Sequence, residues 1–105
     1  MTPTDPVLIR LRAALTELYG DRIERVVLFG SRARGDATPD SDYDVALFLE
    51  DLTSRRQEIR RIVDIQQAIL EQTGADIRAL PYPAGSWRDP ASPLMYEIRK
   101  DGLDL

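Results

Sequence analysis

The sequence predicts a single α/β (α+β) domain over residues 1–105, a small mixed β-sheet of three to four strands covered by helices. Three observations predict it. Helix and strand patterns follow one another in the order helix, strand, strand, helix, strand, helix. The second and third strand runs are joined through a long helical pattern, the kind of crossover that parallel strands need. And 105 residues with no cysteine are enough for one core without disulfide or structural-metal staples.

Each element has its own signal. Thr4-Asp5-Pro6 starts the first helix, with Asp5 as N-cap and Pro6 at the first helical position. Leu8, Leu11, Leu15 and Leu18 recur at helical spacing, and Gly20 ends the run. Arg25 to Phe29 is a short β-rich apolar strand that stops at Gly30-Ser31. Ser31 to Ser41 is a polar loop, with room for one helical turn around Ala33. Tyr43 to Leu49 is a second strand. Ser54, with Gln57 three residues on, reads as a capping box for a helix whose apolar face is Ile59, Ile62, Val63, Ile69 and Leu70. Gly74 closes that helix. Ala75 to Leu80 is a third strand, stopped by Pro81, and Pro81 to Gly85 is a turn-rich connector. Ser92-Pro93 starts a last helix through Met95, Tyr96 and Ile98, ended by Gly102. Leu103-Asp104-Leu105 is too short to assign. There is no internal repeat, low-complexity tract or linker.

Composition narrows the chemistry. With no histidine and no cysteine, imidazole bases, thiol nucleophiles and zinc sites of either ligand are excluded. Acid–base or metal chemistry must use carboxylates, and oxygen-only ligation favours magnesium or manganese. A net charge of −4 gives no global basic footprint, so direct nucleic-acid binding is not expected. No apolar run approaches bilayer length and no signal peptide is visible, so a cytoplasmic protein without a membrane partner is expected.

Three features then converge. Gly30-Ser31 follows a buried strand directly, and glycine lets backbone approach a phosphate without a Cβ in the way. Asp42-Tyr43-Asp44 opens the next strand. Side chains two apart share a strand face, about 6.8 Å apart along it, so the two carboxylates repel unless a cation lies between them. That repulsion predicts that neutralising either aspartate leaves the fold intact or slightly more stable. Asp76 enters an otherwise apolar strand and needs solvent, a partner or a metal. Each feature alone also fits an ordinary turn or a solvated strand end.

Together, Gly30-Ser31, ten intervening residues, Asp42-x-Asp44 and the later Asp76 resemble the signature of the DNA polymerase β-like nucleotidyltransferase superfamily. The run FGSRARGDATPDSDYDVALFL is similar to the minimal nucleotidyltransferase (MNT) family in particular, and the resemblance runs from the first helix to Gly102. It implies the nucleotidyltransferase fold and a metal-dependent transfer of a nucleoside monophosphate from a triphosphate. It implies Asp42, Asp44 and Asp76 as catalytic and metal-binding residues for Mg2+ or Mn2+, with Asp76 helping to activate the acceptor hydroxyl. Gly30 and Ser31, with Arg34 and less directly Arg32, would grip the triphosphate of ATP. Two departures stand out. Tyr43 replaces an aliphatic residue, and its hydroxyl needs a partner if it points inward or could stack on a base if it does not. The ending at residues 102–105 puts a last edge strand in doubt.

Larger nucleotidyltransferases resembling this domain carry further domains for the acceptor, so the acceptor site is expected to be shared with a partner chain. The MNT resemblance implies a HEPN-domain RNase toxin in a hetero-oligomer, with this chain as the antitoxin that transfers AMP to a toxin tyrosine. Two other readings stay open: an antitoxin that acts by binding alone, and a small-molecule nucleotidyltransferase. Trp87 reads as a packing plug over the last helix. Arg55, Arg56, Arg60 and Arg61 read as a solvated helix face.

Overall fold

The computed structural model describes residues 5–105, so Thr4 of the expected helix start lies outside the described residues. Helix α1 spans Pro6–Tyr19, and Asp5 caps it by accepting from the Val7 N–H at 2.8 Å. Its buried stripe is Leu8, Leu11, Leu15 and Tyr19. Leu18, expected on that stripe, lies one residue round the helix and is exposed, while Tyr19 takes the inward place. After a short 3-10 turn, strand β1 runs Ile23–Phe29, two residues earlier than expected. The single turn α2 covers Ser31–Arg34 and strand β2 Tyr43–Leu49.

Helix α3, Arg55–Thr73, is capped by Ser54, which accepts from the Gln57 N–H at 3.3 Å. Its buried positions are Glu58, Ile62 and Ile69. Val63 and Leu70 face outward, a correction to the expected face, because the inward stripe runs one position earlier. Glu58 is an unexpected core residue. Its carboxylate accepts from Arg22, Arg61 and the Tyr19 hydroxyl, tying α1, α3 and the turn before β1 together.

Strand β3, Ile77–Pro83, starts later than expected and passes straight through Pro81. The sheet order explains this. The strands run β3-β2-β1-β4, so β3 is an edge, where a missing N–H goes unnoticed. Strands β2 and β3 are parallel, as the helical crossover predicts, and β1 and β2 antiparallel. Helix α4 covers Pro93–Asp101, capped by Ser92. The doubted last strand is present: β4, Leu103–Asp104, pairs antiparallel with β1.

The two faces of β2 alternate and both are covered. Val45, Leu47 and Leu49 join the main core under α1 and α3. Ala46 and Phe48 join a smaller core under α4, with Val27, Met95 and Ile98. Trp87 seals the edge of that smaller core, as expected. Its indole N–H donates to Glu24 at 2.8 Å, and the Arg25 and Arg88 guanidinium groups lie 4.7 and 4.4 Å from its ring centre. The small core backs the later part of β2, and Asp42 and Asp44 stand at its head. Among the described residues, no helix is long and apolar enough to cross a membrane.

Glu58→Ala leaves the Tyr19 hydroxyl and two guanidinium groups without their half of a buried network. It should lower unfolding free energy by about 2 kcal/mol in urea melts, with an unchanged denaturant slope.

Candidate functional site

The site begins where β1 ends. Phe29 pairs with Asp44 across the sheet, so the chain turns at Gly30 directly beside the head of β2. Gly30 is buried with φ 76° and ψ −156°, a left-handed conformation that L side chains rarely adopt. A Cβ here would lie 2.7 Å from Asp44 Oδ2. The backbone shape therefore favours glycine, and any side chain here would push the Asp44 carboxylate aside. The Gly30 carbonyl accepts from the Ala33 and Arg34 N–H groups, which closes α2. The first N–H groups of that turn, from Ser31 onward, have no carbonyl one turn back and are available to an anion.

Asp42 and Asp44 arrive on the same face of the sheet as Ala46 and Phe48. Asp44 is half-buried, and its carboxyl is held above the usual carboxylate range. Desolvation is the main cause; Asp42 and Glu97 push the same way, while Arg78 and Arg34 oppose. Burial and like charge thus leave this site short of positive charge, which fits a divalent cation.

Tyr43, between them, points the other way. It is buried in the main core, and its hydroxyl donates to Asp5, the cap of α1. Burial and that bond raise its phenol to about 12. Of the two roles open to it, the structure takes the core one.

Arg32, expected at the phosphate corner, turns towards the loop and Tyr43. Its guanidinium lies 4.0 Å from the Tyr43 ring centre and donates to the Ser41 carbonyl at 3.0 and 2.8 Å. It braces the loop that delivers Asp42. The physical reason is that loop carbonyls without backbone partners need a donor, and Arg32 supplies it. Arg34 stays near the site. It pairs with Glu97 of α4 at 3.1 Å and with Asp36 at 3.4 Å, both exposed and weakly held.

Asp76 is the third acidic residue expected at the site. It stands exposed one residue before β3, and its backbone carbonyl accepts from the Tyr43 N–H at 2.9 Å. With Arg32, Asp40, Ser41 and Gly74 it lines a shallow hollow beside the loop. Among the described residues, no three carboxylates come close enough to hold one ion. What meets Asp42 instead is Arg78, two residues further along β3, at 3.0 Å. Sequence reasoning passed over Arg78 and Glu97. The alternation of β3 could have found Arg78, since it shares a face with Asp76. Nothing local marks Glu97. The basic cluster of α3 also divides: Arg55 donates to the Pro81 carbonyl at 2.7 Å and Arg61 pairs with Glu58.

The nucleotidyltransferase domain family matches residues 8–98, which include both aspartates and the Gly30 corner. The chain belongs to that family. Two proteins of Methanocaldococcus jannaschii, the candidate protein adenylyltransferases MJ0141 and MJ0604, are similar to it. They are 29% identical over 59 residues and 36% identical over 67, covering 56% and 64% of this chain. The matched part spans 59% and 61% of those relatives, about three fifths of their length. Among solved structures, a toxin–antitoxin complex with AMP-PNP superposes with a TM-score of 0.63 at 18% identity, over 97% of this chain and 72% of that one. A chain from the complex of a tri-AMPylated Shewanella oneidensis HEPN toxin with an MNT antitoxin superposes with a TM-score of 0.54 at 14% identity, over 93% of this chain and 70% of that one. At those identities the structures establish the nucleotidyltransferase fold.

The geometry separates two aspartates that were expected to behave alike. The folded state binds a proton at Asp44 more tightly than the unfolded chain does. Its contribution therefore favours folding at acid pH and is lost as pH rises from the ordinary carboxylate range through the raised one. In metal-free protein at pH 7, Asp44→Asn should raise the melting temperature, with the gain shrinking towards pH 3. Asp42→Asn gives up the Arg78 pair, and its stability should stay within about 0.5 kcal/mol of wild type. Differential scanning calorimetry across pH checks both.

Proposed function

We propose that this nucleotidyltransferase domain is a metal-dependent adenylyltransferase that transfers AMP from ATP to a tyrosine hydroxyl of a HEPN-type toxin, acting as its antitoxin. The observation that carries the proposal is the placing of two like-charged carboxylates, one partly desolvated, beside a corner whose backbone conformation favours glycine. Support for the partner comes from solved relatives in toxin–antitoxin complexes, one with an AMPylated HEPN toxin. Support for the transferred group comes from the adenylyltransferase names of the curated relatives.

In this reading Asp42 and Asp44 would hold Mg2+ or Mn2+. Bound there, divalent cations would stabilise the in-line displacement in which the tyrosine oxygen bonds to the α-phosphorus and pyrophosphate leaves. The chain's own residues do the rest. The Gly30–Ser31 backbone and the Ser31 hydroxyl orient the triphosphate, and the absent Cβ at Gly30 lets it approach Asp44. Arg34, released from Glu97 and Asp36, neutralises phosphate charge. Asp76, exposed one residue before β3 and beside the loop that delivers Asp42, would take the acceptor proton. Arg32 and Tyr43 keep the loop and strand fixed.

A second reading, neutralisation by binding alone, is favoured by the ion pair that Arg78 already makes with Asp42. One experiment separates the two. The chain, ATP, magnesium and a HEPN-type toxin are incubated, and intact toxin is weighed by mass spectrometry. The expected result is a gain of one or more AMP groups, reduced about a hundredfold or more by Asp44→Asn. Equal suppression of toxin activity by the double Asp42→Asn, Asp44→Asn variant, with no added mass, would establish binding alone.

A further inference from the structure

Strands β2 and β3 are parallel with Asp44 opposite Arg78, so the Arg78 side chain leaves the sheet on the face that carries the two aspartates. Its guanidinium reaches Asp42 Oδ2 at 3.0 Å. The side chain of Arg78 is 67% exposed and that of Asp42 32%. Neither is locked in place, and such a pair is weak enough for a stronger cation to break. It nevertheless takes one of the two carboxylates that the proposed reading gives to a metal. It also adds a positive charge at a place where a divalent ion would have to sit nearby.

We propose that Arg78 is a tethered counter-ion that competes with divalent cations for Asp42 and so sets the metal affinity of the site. The inference rests on the metal-dependent reading above. Without metal, Arg78 relieves the repulsion between Asp42 and Asp44 and holds the head of β2 against β3. When a divalent ion arrives, the guanidinium must leave Asp42 and swing into solvent. Metal binding is thereby made weaker and more dependent on ionic strength than two aspartates alone would give.

The test measures free Mn2+ by its electron paramagnetic resonance signal as ion is added to the full chain, with circular dichroism to confirm the fold. Wild type is compared with Arg78→Gln, Arg78→Lys, Asp42→Asn and the double Asp42→Asn, Arg78→Gln variant. Arg78→Gln should bind Mn2+ about fivefold more tightly than wild type, and Arg78→Lys should stay near wild type. The gain should narrow as salt is raised. It should also be smaller when Asp42 is already asparagine, because the contested ligand is gone. Equal or weaker Mn2+ binding by a folded Arg78→Gln variant overturns the inference while leaving the metal site intact. If neither protein binds Mn2+, even with a non-hydrolysable ATP analogue, the metal reading itself falls and this inference with it.

Discussion

Asp42, the last residue before β2, and Asp44, the second residue of it, stand two residues apart, so their charges face the same space beside the sheet. That repulsion is the constraint on which the rest of the site depends. It is tolerated because the neighbouring groups answer it. Arg78 reaches across from β3, and Arg34 reaches across from α2 to Glu97 beside it. The Gly30 corner leaves the space open by having no Cβ to fill it. Much of the remaining architecture holds the head of β2 still while that space stays free.

The holding is distributed. On one side, Tyr43 anchors β2 to the cap of α1 through Asp5, and Arg32 lies over its ring while tying down Ser41. On the other, α4 packs Met95 and Ile98 on Ala46 and Phe48, and Trp87 seals the edge. The substitution of an aromatic residue between the aspartates is therefore compensated. The tyrosine hydroxyl has a partner, the ring has a cation, and neither intrudes on the carboxylates.

The elements were legible because their signals are local. Asp5, Ser54 and Ser92 cap the helices as read, and Gly20, Gly74 and Gly102 follow their ends. The misreadings came from information that sequence periodicity does not carry. Pro81 halts a central strand but not an edge strand, and sheet order becomes visible only in three dimensions. Leu18, Val63 and Leu70 are apolar yet sit one position off the buried stripe. That the Gly30 corner and the aspartate pair meet was legible from their spacing in the sequence. The company they keep was not: Arg78 against Asp42, Glu97 near Asp44, and Arg32 turned to the loop are decided by side-chain direction.

The central claim is that divalent cations bind at the head of β2, beside Gly30. Paramagnetic broadening of a 1H–15N spectrum by substoichiometric Mn2+ tests it most directly. The account predicts that the amides of Gly30, Ser31, Tyr43 and Asp44 broaden first, and that Asp42→Asn, Asp44→Asn together abolish the effect. Broadening centred instead on the acidic residues of α3, such as Asp64 and Glu71, would contradict it.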